Sequence, residues 1–175
     1  MTNNNYNPKP LILLDIDGVI NDLNALYGHS RDWAIHEIVS HGHTVYIPDY
    51  MGWLVRKLTQ VGDVHWCTTW RKRANDEIAE HLGIDTLPVV DDGTSSRFVD
   101  WKAAAAFELA ATALADGRRV IWIEDFYNEL PTNQMPDGVE FVDTACTDRD
   151  MVLRPEMLPE WLLDLFNSTP AGSSR

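Results

Sequence analysis

Short apolar runs alternate with helical patterns along most of this 175-residue chain. Runs of strand length lie at Leu11 to Ile16, Val61 to Cys67, Leu87 to Val90, Val120 to Ile123 and Val139 to Val142. Near-continuous apolar strands separated by helices are typical of a mainly parallel sheet that is covered on both faces. We therefore predict an α/β fold in a single domain over residues 11–166.

Helical spacing of apolar residues predicts four helices between and after these strands. They run from Asp49 to Gln60, from about Arg73 to Leu82, from an N-cap at Asp100 to a stop at Gly117, and from Pro155 or Glu156 to Phe166. Residues 1–10 and the polar tail 167–175 are predicted to be disordered.

Composition excludes several classes of protein. Hydrophobic residues make up 45% of the chain, which is enough for a packed core. A net charge of -13 argues against broad nonspecific binding to nucleic acid and against an anionic membrane surface. No apolar stretch is long enough to span a membrane and the N-terminus lacks a signal-peptide pattern, so we expect a cytoplasmic protein. Cys67 and Cys146 have no metal-ligand spacing, and we expect buried thiols rather than a disulfide.

Two aspartates end the first apolar run, in the stretch LILLDIDGVIND. Asp15 and Asp17 are expected at the carboxyl end of a strand, where ligands of parallel sheets gather, and Gly18 allows a sharp turn beside a ligand. Two close carboxylates are costly to bury unless a cation such as Mg²⁺ neutralises them. One aspartate can then attack a phosphoryl group while its neighbour moves a proton. A plain Asp-Gly surface turn is the alternative interpretation.

Three further polar groups follow predicted strands or open a helix. Thr68 and Thr69 follow the second long strand, where hydroxyls can bind phosphoryl oxygens, although threonine is also common in strands. Lys102 lies in the first turn of a helix, where the macrodipole disfavours a cation, so an anionic partner is expected unless the lysine is solvated. Glu124 and Asp125 end another apolar run and can complete an oxygen-ligand site for Mg²⁺.

The elements LLDIDGV, WCTT, WK and WIED, in this order, resemble the four motifs of the haloacid dehalogenase (HAD) superfamily of aspartate-nucleophile phosphatases. The resemblance implies a three-layer Rossmann-like fold. It also implies that Asp15 is the nucleophile, that Asp17 is the general acid/base, and that Mg²⁺ binds the Asp15 carboxylate, the Asp17 carbonyl and Asp125. Glu124 would assist through a bound water.

The same resemblance implies that Thr68 binds the transferring phosphoryl group and that Lys102 holds this group against the nucleophile Asp15. Because Thr69 follows directly, the second motif is ambiguous by one residue. Thr69, Arg71 and Gly18 are predicted to line the substrate site.

More narrowly, DIDGVIN, HGHTVYIPDYMGWLVRKL, CTTW, LPVVD, WK and WIED together look like the HAD-like domain associated with RNA-repair proteins. His41 and His43 lie in this stretch, either as metal ligands or as a polar turn before a strand. Residues 21–47 are too few for a full cap domain, so we expect a flap or a minimal cap. An open site of this kind would admit a large substrate such as a nucleic-acid end.

The basic cluster Arg71, Lys72 and Arg73 follows the two threonines, and Arg31 and Arg97 lie near other motifs. These side chains can contact phosphates of a nucleic-acid end, or Arg71–Arg73 can be a solvated helix start. Three hypotheses follow: a Mg²⁺-dependent phosphomonoesterase acting on a nucleotide or nucleic-acid end, an HAD phosphatase for a small phosphorylated metabolite, and a non-catalytic binding module of this fold. The presence of all four motif positions disfavours the third.

Overall fold

The strands and helices of the chain alternate as predicted. The computed structural model describes residues 8–28, 32–40, 42–91, 93, 100–125, 131–145 and 151–168, with the side chains of 100 and 132 excepted. The strands are β1 (Leu11–Leu14), β2 (Ile35–Ser40), β3 (His43–Pro48), β4 (Asp63–Trp66), β5 (Val120–Glu124) and β6 (Val139–Asp143). The helices are α1 (Leu23–Leu26), α2 (Met51–Val61), α3 (Arg73–Glu77), α4 (Ala79–Leu82), α5 (Asp100–Ala115) and α6 (Glu160–Ser168).

Four strands form a parallel sheet in the order β4-β1-β5-β6, which confirms the α/β class and the parallel sheet. The predicted strand at residues 87–90 is reduced to one bridge, between Val89 and Trp66 on the outer edge of β4. Along the chain, β4 is added on one side of β1, and β5 and β6 are then added on the other side. The order therefore reverses between β1 and β5, and at such a reversal the carboxyl ends of the strands leave a crevice for a ligand.

Both faces of the sheet are covered because the strands alternate their apolar side chains between two cores. Ile12 and Leu14 of β1 face the core that α2 and α6 build. Leu11 and Leu13 face the other core, where the alanines of α5 pack closely with Trp122. Helices therefore lie on both sides of one sheet, in three layers.

The helix boundaries differ from the prediction in several places, and α2 begins at Met51 rather than at Asp49. The predicted helix from Arg73 to Leu82 is interrupted at Ile78, where φ is -113°, and it ends at Gly83 with φ of +64°. The last helix begins at Glu160 because Pro159 holds Leu158 in an extended conformation; only a 3₁₀ turn precedes it. That helix also continues to Ser168, two residues into the predicted tail.

The segment predicted to be a flap or minimal cap contains α1 and the antiparallel hairpin β2–β3. Val45 and Ile47 of the hairpin are buried in the main core, and the amide of Asp22 donates to the carbonyl of Tyr46. The hairpin is therefore attached to the domain beside the carboxyl end of β1. Its neighbour His41 lies outside the described residues.

Residues 8–10 belong to the segment predicted to be disordered. Pro10 is buried, and its carbonyl accepts a hydrogen bond from the Asp63 amide. Cys67 is a buried free thiol, as expected, whereas Cys146 lies outside the described residues. Within the described chain, none of the helices combines the length and apolar character needed to cross a bilayer.

Candidate active site

Three carboxylates and one lysine meet where the strand order reverses. Asp15 follows β1 directly, Glu124 ends β5, and Asp125 follows it. The backbone amide of Asp15 donates to the carbonyl of Ile123, which places the two strand ends side by side. Lys102 reaches this point from the first turn of α5.

The Lys102 ammonium group is paired with two of these carboxylates. Its Nζ lies 3.0 Å from Asp15 Oδ2 and also contacts Glu124 Oε2. Lys102 is only 1% exposed, so the lysine is not solvated. A buried cation near a helix N-terminus requires anionic partners, and Asp15 and Glu124 supply them. Their combined charge raises the pKa of Lys102 although burial opposes this, and the lysine stays protonated.

The cluster contains more carboxylates than cations. Atoms of Asp15, Glu124 and Asp125 lie within 4.8 Å of one another, and all three residues are buried. Burial raises the pKa of Glu124 well above its usual range, and the nearby Asp15 charge adds to this. Burial and the Asp15 charge also raise the pKa of Asp125 to about 7. Both shifts mean that this site needs additional positive charge before all three carboxylates can ionise.

Asp125 has the features of a metal ligand. Neither of its carboxylate oxygens has a hydrogen-bond partner among the described residues, although the residue is buried. Buried polar groups without partners are rare and costly, and a hard divalent cation with oxygen ligands is one way to satisfy them. The donor set of Asp15 and Asp125, with Glu124 beside them, therefore fits such an ion.

The Asp17 side chain lies apart from this carboxylate cluster. Its Oδ1 accepts a hydrogen bond from Asn21 Nδ2 at 2.9 Å, and its Oδ2 accepts one from Trp70 Nε1 at 2.8 Å. The two aspartates therefore have different surroundings: the Asp15 side chain joins the lysine and the acidic cluster, whereas that of Asp17 faces the turn after β4.

The two threonines after β4 have different surroundings. Cys67 donates its amide to the Leu14 carbonyl, so the following turn lies at the same sheet edge as Asp15. Thr68 is fully buried and its Oγ1 accepts from the Trp70 amide, whereas Thr69 is exposed. Thr68 is therefore buried at the sheet edge near Asp15, whereas Thr69 lines the adjoining cleft.

Two of the three basic residues after these threonines are paired within the protein. Arg71, with an unusual φ of +53°, pairs with Asp91 and lies 3.9 Å from the centre of the Trp101 ring. Arg73 pairs with Glu77 one helical turn away. Lys72 is exposed. Arg31 and Arg97 lie outside the described residues.

A cleft of about 330 Å³ opens beside Asp17, between the hairpin and the turn after β4. Asn21, Leu26 and His43 line it together with Trp70 and Arg73. Leu26 is 53% exposed and His43 is exposed, so the cleft is accessible to solvent. His43 lines this cleft and is not one of the residues of the acidic cluster formed by Asp15, Glu124 and Asp125.

Three residues of this region were missed by the sequence analysis. Asn21 and Trp70 hold the Asp17 carboxylate. Thr144 donates its hydroxyl to the Gly18 carbonyl at 2.7 Å, and its amide donates to the Glu124 carbonyl. Thr144 directly follows β6, so the same rule that selected Asp15 and Glu124 would also have selected it. Trp70 has no such signal, because an aromatic residue in a turn is usually interpreted as packing.

No protein-family model matches this sequence, and no curated protein matches it either.

Proposed function

We propose that this protein is a Mg²⁺-dependent phosphomonoesterase of the HAD type that forms an aspartyl-phosphate on Asp15. The observation that carries the proposal is the buried Lys102, which holds the Asp15 carboxylate at 3.0 Å beside the unpartnered carboxylate of Asp125. A structural salt bridge would not need the third carboxylate. A nucleophilic carboxylate that receives a dianionic phosphate needs both the lysine and a cation site.

Each residue has a definite task in the proposed reaction. A carboxylate oxygen of Asp15 attacks phosphorus while the bond from phosphorus to the leaving oxygen breaks, and Asp17 gives the leaving oxygen its proton. Water then attacks the phosphorus of the aspartyl-phosphate, Asp17 takes a proton from that water, and the Asp15 carboxylate and inorganic phosphate are released. Lys102 stays charged throughout and stabilises the negative charge on the transferring group.

Asp15 and Asp125, assisted by Glu124, would hold Mg²⁺ together with the Asp17 carbonyl. When bound, the ion supplies positive charge that lets the phosphate approach three carboxylates and polarises its oxygens. Thr68 would bind a phosphoryl oxygen at the same sheet edge.

A nucleotide or a nucleic-acid terminal phosphate is the substrate class that we propose. The described parts of residues 21–48 contain a short helix and a hairpin, which leaves the cleft open to the end of a large molecule. A small phosphorylated metabolite is the second candidate. It is favoured by the pairing of Arg71 with Asp91 and of Arg73 with Glu77, because these arginines are already neutralised.

A phosphatase screen with Mg²⁺ tests the proposal. Mononucleotides, sugar phosphates and oligonucleotides with 3′- or 5′-phosphates would be compared in the wild-type protein and in Asp15→Asn, which keeps the shape but removes the nucleophile. We expect turnover in the wild type and none above background in the variant. Steady turnover by purified Asp15→Asn would contradict the aspartyl-phosphate mechanism. Asp164→Asn, on the exposed surface of α6, is the matched control and should be fully active.

A triple replacement of Arg71, Lys72 and Arg73 by Ala separates the two substrate classes. If these residues bind flanking phosphates, affinity for a phosphorylated oligonucleotide should fall and its salt dependence should flatten by roughly 0.7 to 0.9 in slope for each lost contact. Turnover of a minimal aryl phosphate should survive. No selective loss on the oligonucleotide would favour the small-metabolite substrate.

A further inference from the structure

Both oxygens of the Asp17 carboxyl group are held by side-chain donors. Asn21 Nδ2 donates to Oδ1 at 2.9 Å and Trp70 Nε1 donates to Oδ2 at 2.8 Å. Asn21, Trp70 and Asp17 all line the same cleft of about 330 Å³. A carboxyl group held at both oxygens cannot rotate freely about its terminal bond, so its direction toward the cleft is fixed.

Asn21 cannot turn its amide group the other way. Its Oδ1 accepts a hydrogen bond from the backbone amide of Tyr46 at 2.9 Å, and this bond requires the oxygen to face β3. The nitrogen must therefore face Asp17. Because Asn21 is 6% exposed and Tyr46 belongs to the hairpin, the position of Asp17 is tied to that of the hairpin.

Trp70 is held at its backbone and at its ring. Its amide donates to Thr68 Oγ1 at 3.3 Å, and the Arg73 guanidinium lies 5.1 Å from the ring centre. The indole N–H has a single hydrogen to donate, and that hydrogen is given to Asp17. A tryptophan that only filled space would not need this alignment.

We propose that Trp70 and Asn21 are positioning residues that aim the Asp17 carboxyl group at the leaving oxygen of the substrate. The inference rests on the proposed phosphatase function and deepens it. As the bond between phosphorus and the leaving oxygen breaks, the proton of the Asp17 carboxyl group passes to that oxygen, and the departing alcohol leaves through the cleft. Misalignment of Asp17 slows this proton transfer. The reaction is therefore slowed more for a poor leaving group, which needs the proton, than for a good one.

Leaving-group dependence provides the test, with Trp70→Phe as the variant. Two substrates of similar size are compared through kcat/KM, which reports the step in which the leaving group departs: benzyl phosphate, whose alkoxide leaves poorly, and 4-nitrophenyl phosphate, whose phenolate leaves well. We expect kcat/KM to fall about 10- to 100-fold on benzyl phosphate and by less than about threefold on 4-nitrophenyl phosphate. Asn21→Ala should likewise lose much more kcat/KM on benzyl phosphate than on 4-nitrophenyl phosphate.

Trp161→Phe is the matched control. It removes an indole N–H that donates to both oxygens of Glu140 at 3.0 Å, which is the same chemical change away from the cleft. We expect kcat/KM of this variant to equal that of the wild type on both substrates.

Equal losses on the two substrates, or no loss on either, would overturn the positioning role while leaving the phosphatase proposal intact. If Trp70→Phe does not fold, as judged by circular dichroism, Asn21→Ala decides the question by the same comparison. If the wild-type protein shows no turnover that depends on Asp15, both proposals fail together.

Discussion

The Asp125 carboxylate packs directly against the Cα of Gly18. A Cβ at position 18 would lie 2.1 Å from Asp125 Oδ2, and the Gly18 φ of +71° is itself one that residues with side chains rarely adopt. Thr144 fixes this turn by donating its hydroxyl to the Gly18 carbonyl. The turn after β1 therefore allows the carboxylate that follows β5 to approach Asp15, and only a residue without a side chain permits it.

Gly18→Ala should therefore damage the site more than its backbone strain explains. We expect a loss of about 2 kcal/mol or more in the free energy of unfolding and a higher Mg²⁺ requirement, because Asp125 must move. Gly117→Ala is a matched control, since Gly117 has φ of +73° but nothing within 4 Å of the added Cβ. Denaturant unfolding and Mg²⁺ titration of both variants test this. Identical behaviour of the two variants would show that the contact with Asp125 is unimportant.

Removal of the metal should abolish activity, and Asp125→Asn should weaken the response to added Mg²⁺. EDTA is expected to stop turnover and Mg²⁺ to restore it, since the three carboxylates otherwise repel the phosphate. In Asp125→Asn the Mg²⁺ concentration for half-maximal activity should rise at least about tenfold. Asp143→Asn changes a carboxylate at the end of β6, outside the acidic cluster, and should leave the titration unchanged. An unaltered titration in Asp125→Asn would exclude Asp125 as a ligand.

The metal-free protein should lose stability as the pH rises from about 4 to about 7. The pKa of Asp125 is raised from 3.8 in a free side chain to about 7 by burial and by the Asp15 charge. Between these values the folded state holds a proton that the unfolded state has released, so the free energy of unfolding falls with increasing pH, by up to about 4 kcal/mol. Urea unfolding of the metal-free protein at several pH values measures how steeply the free energy of unfolding changes with pH.

Two comparisons identify the source of this slope. Asp125→Asn cannot ionise at position 125, so its slope should be shallower than that of the wild type. Saturating Mg²⁺ should reverse the loss near pH 7, because an ion that binds only the folded state stabilises it. A slope that is the same in Asp125→Asn would assign the effect to other groups, such as Glu124, whose pKa is raised in the same direction.

Lys102→Met should remove both activity and stability. The change leaves Asp15 and Glu124 buried with no cation, at an expected loss of about 3 to 5 kcal/mol in the free energy of unfolding. Adding Glu124→Gln to this variant removes one uncompensated charge, so stability should partly recover while activity does not. Thermal unfolding and phosphatase assays of the single and double variants separate the two effects. A double variant that is no more stable than Lys102→Met would contradict a charge-based explanation.

Much of the fold and the acidic cluster could be predicted from the sequence. Apolar runs show where strands end, and in a parallel sheet the carboxyl ends of all strands meet at one edge. Asp15, Glu124 and Asp125 follow such runs, so their meeting did not depend on knowing any contact. The place of Lys102 in the first helical turn left two interpretations, an anionic partner or a solvated side chain, and burial of the lysine decided for the partner. The strand at 87–90 and the start of the last helix were less well predicted, because edge pairing and the effect of Pro159 are local details.

Sequence by itself therefore determined the four parallel strands, the edge at which they end and most of the polar residues at that edge, because these follow from periodicity and from the direction of the strands. Tertiary structure alone decided how the side chains are paired. Asp17 faces Trp70 and Asn21 rather than Asp15, and Arg71 faces Asp91 and Trp101 rather than open solvent. These partners belong to different turns and helices, and their contact depends on how the turns after β1 and β4 pack together. No periodicity along the chain records that packing.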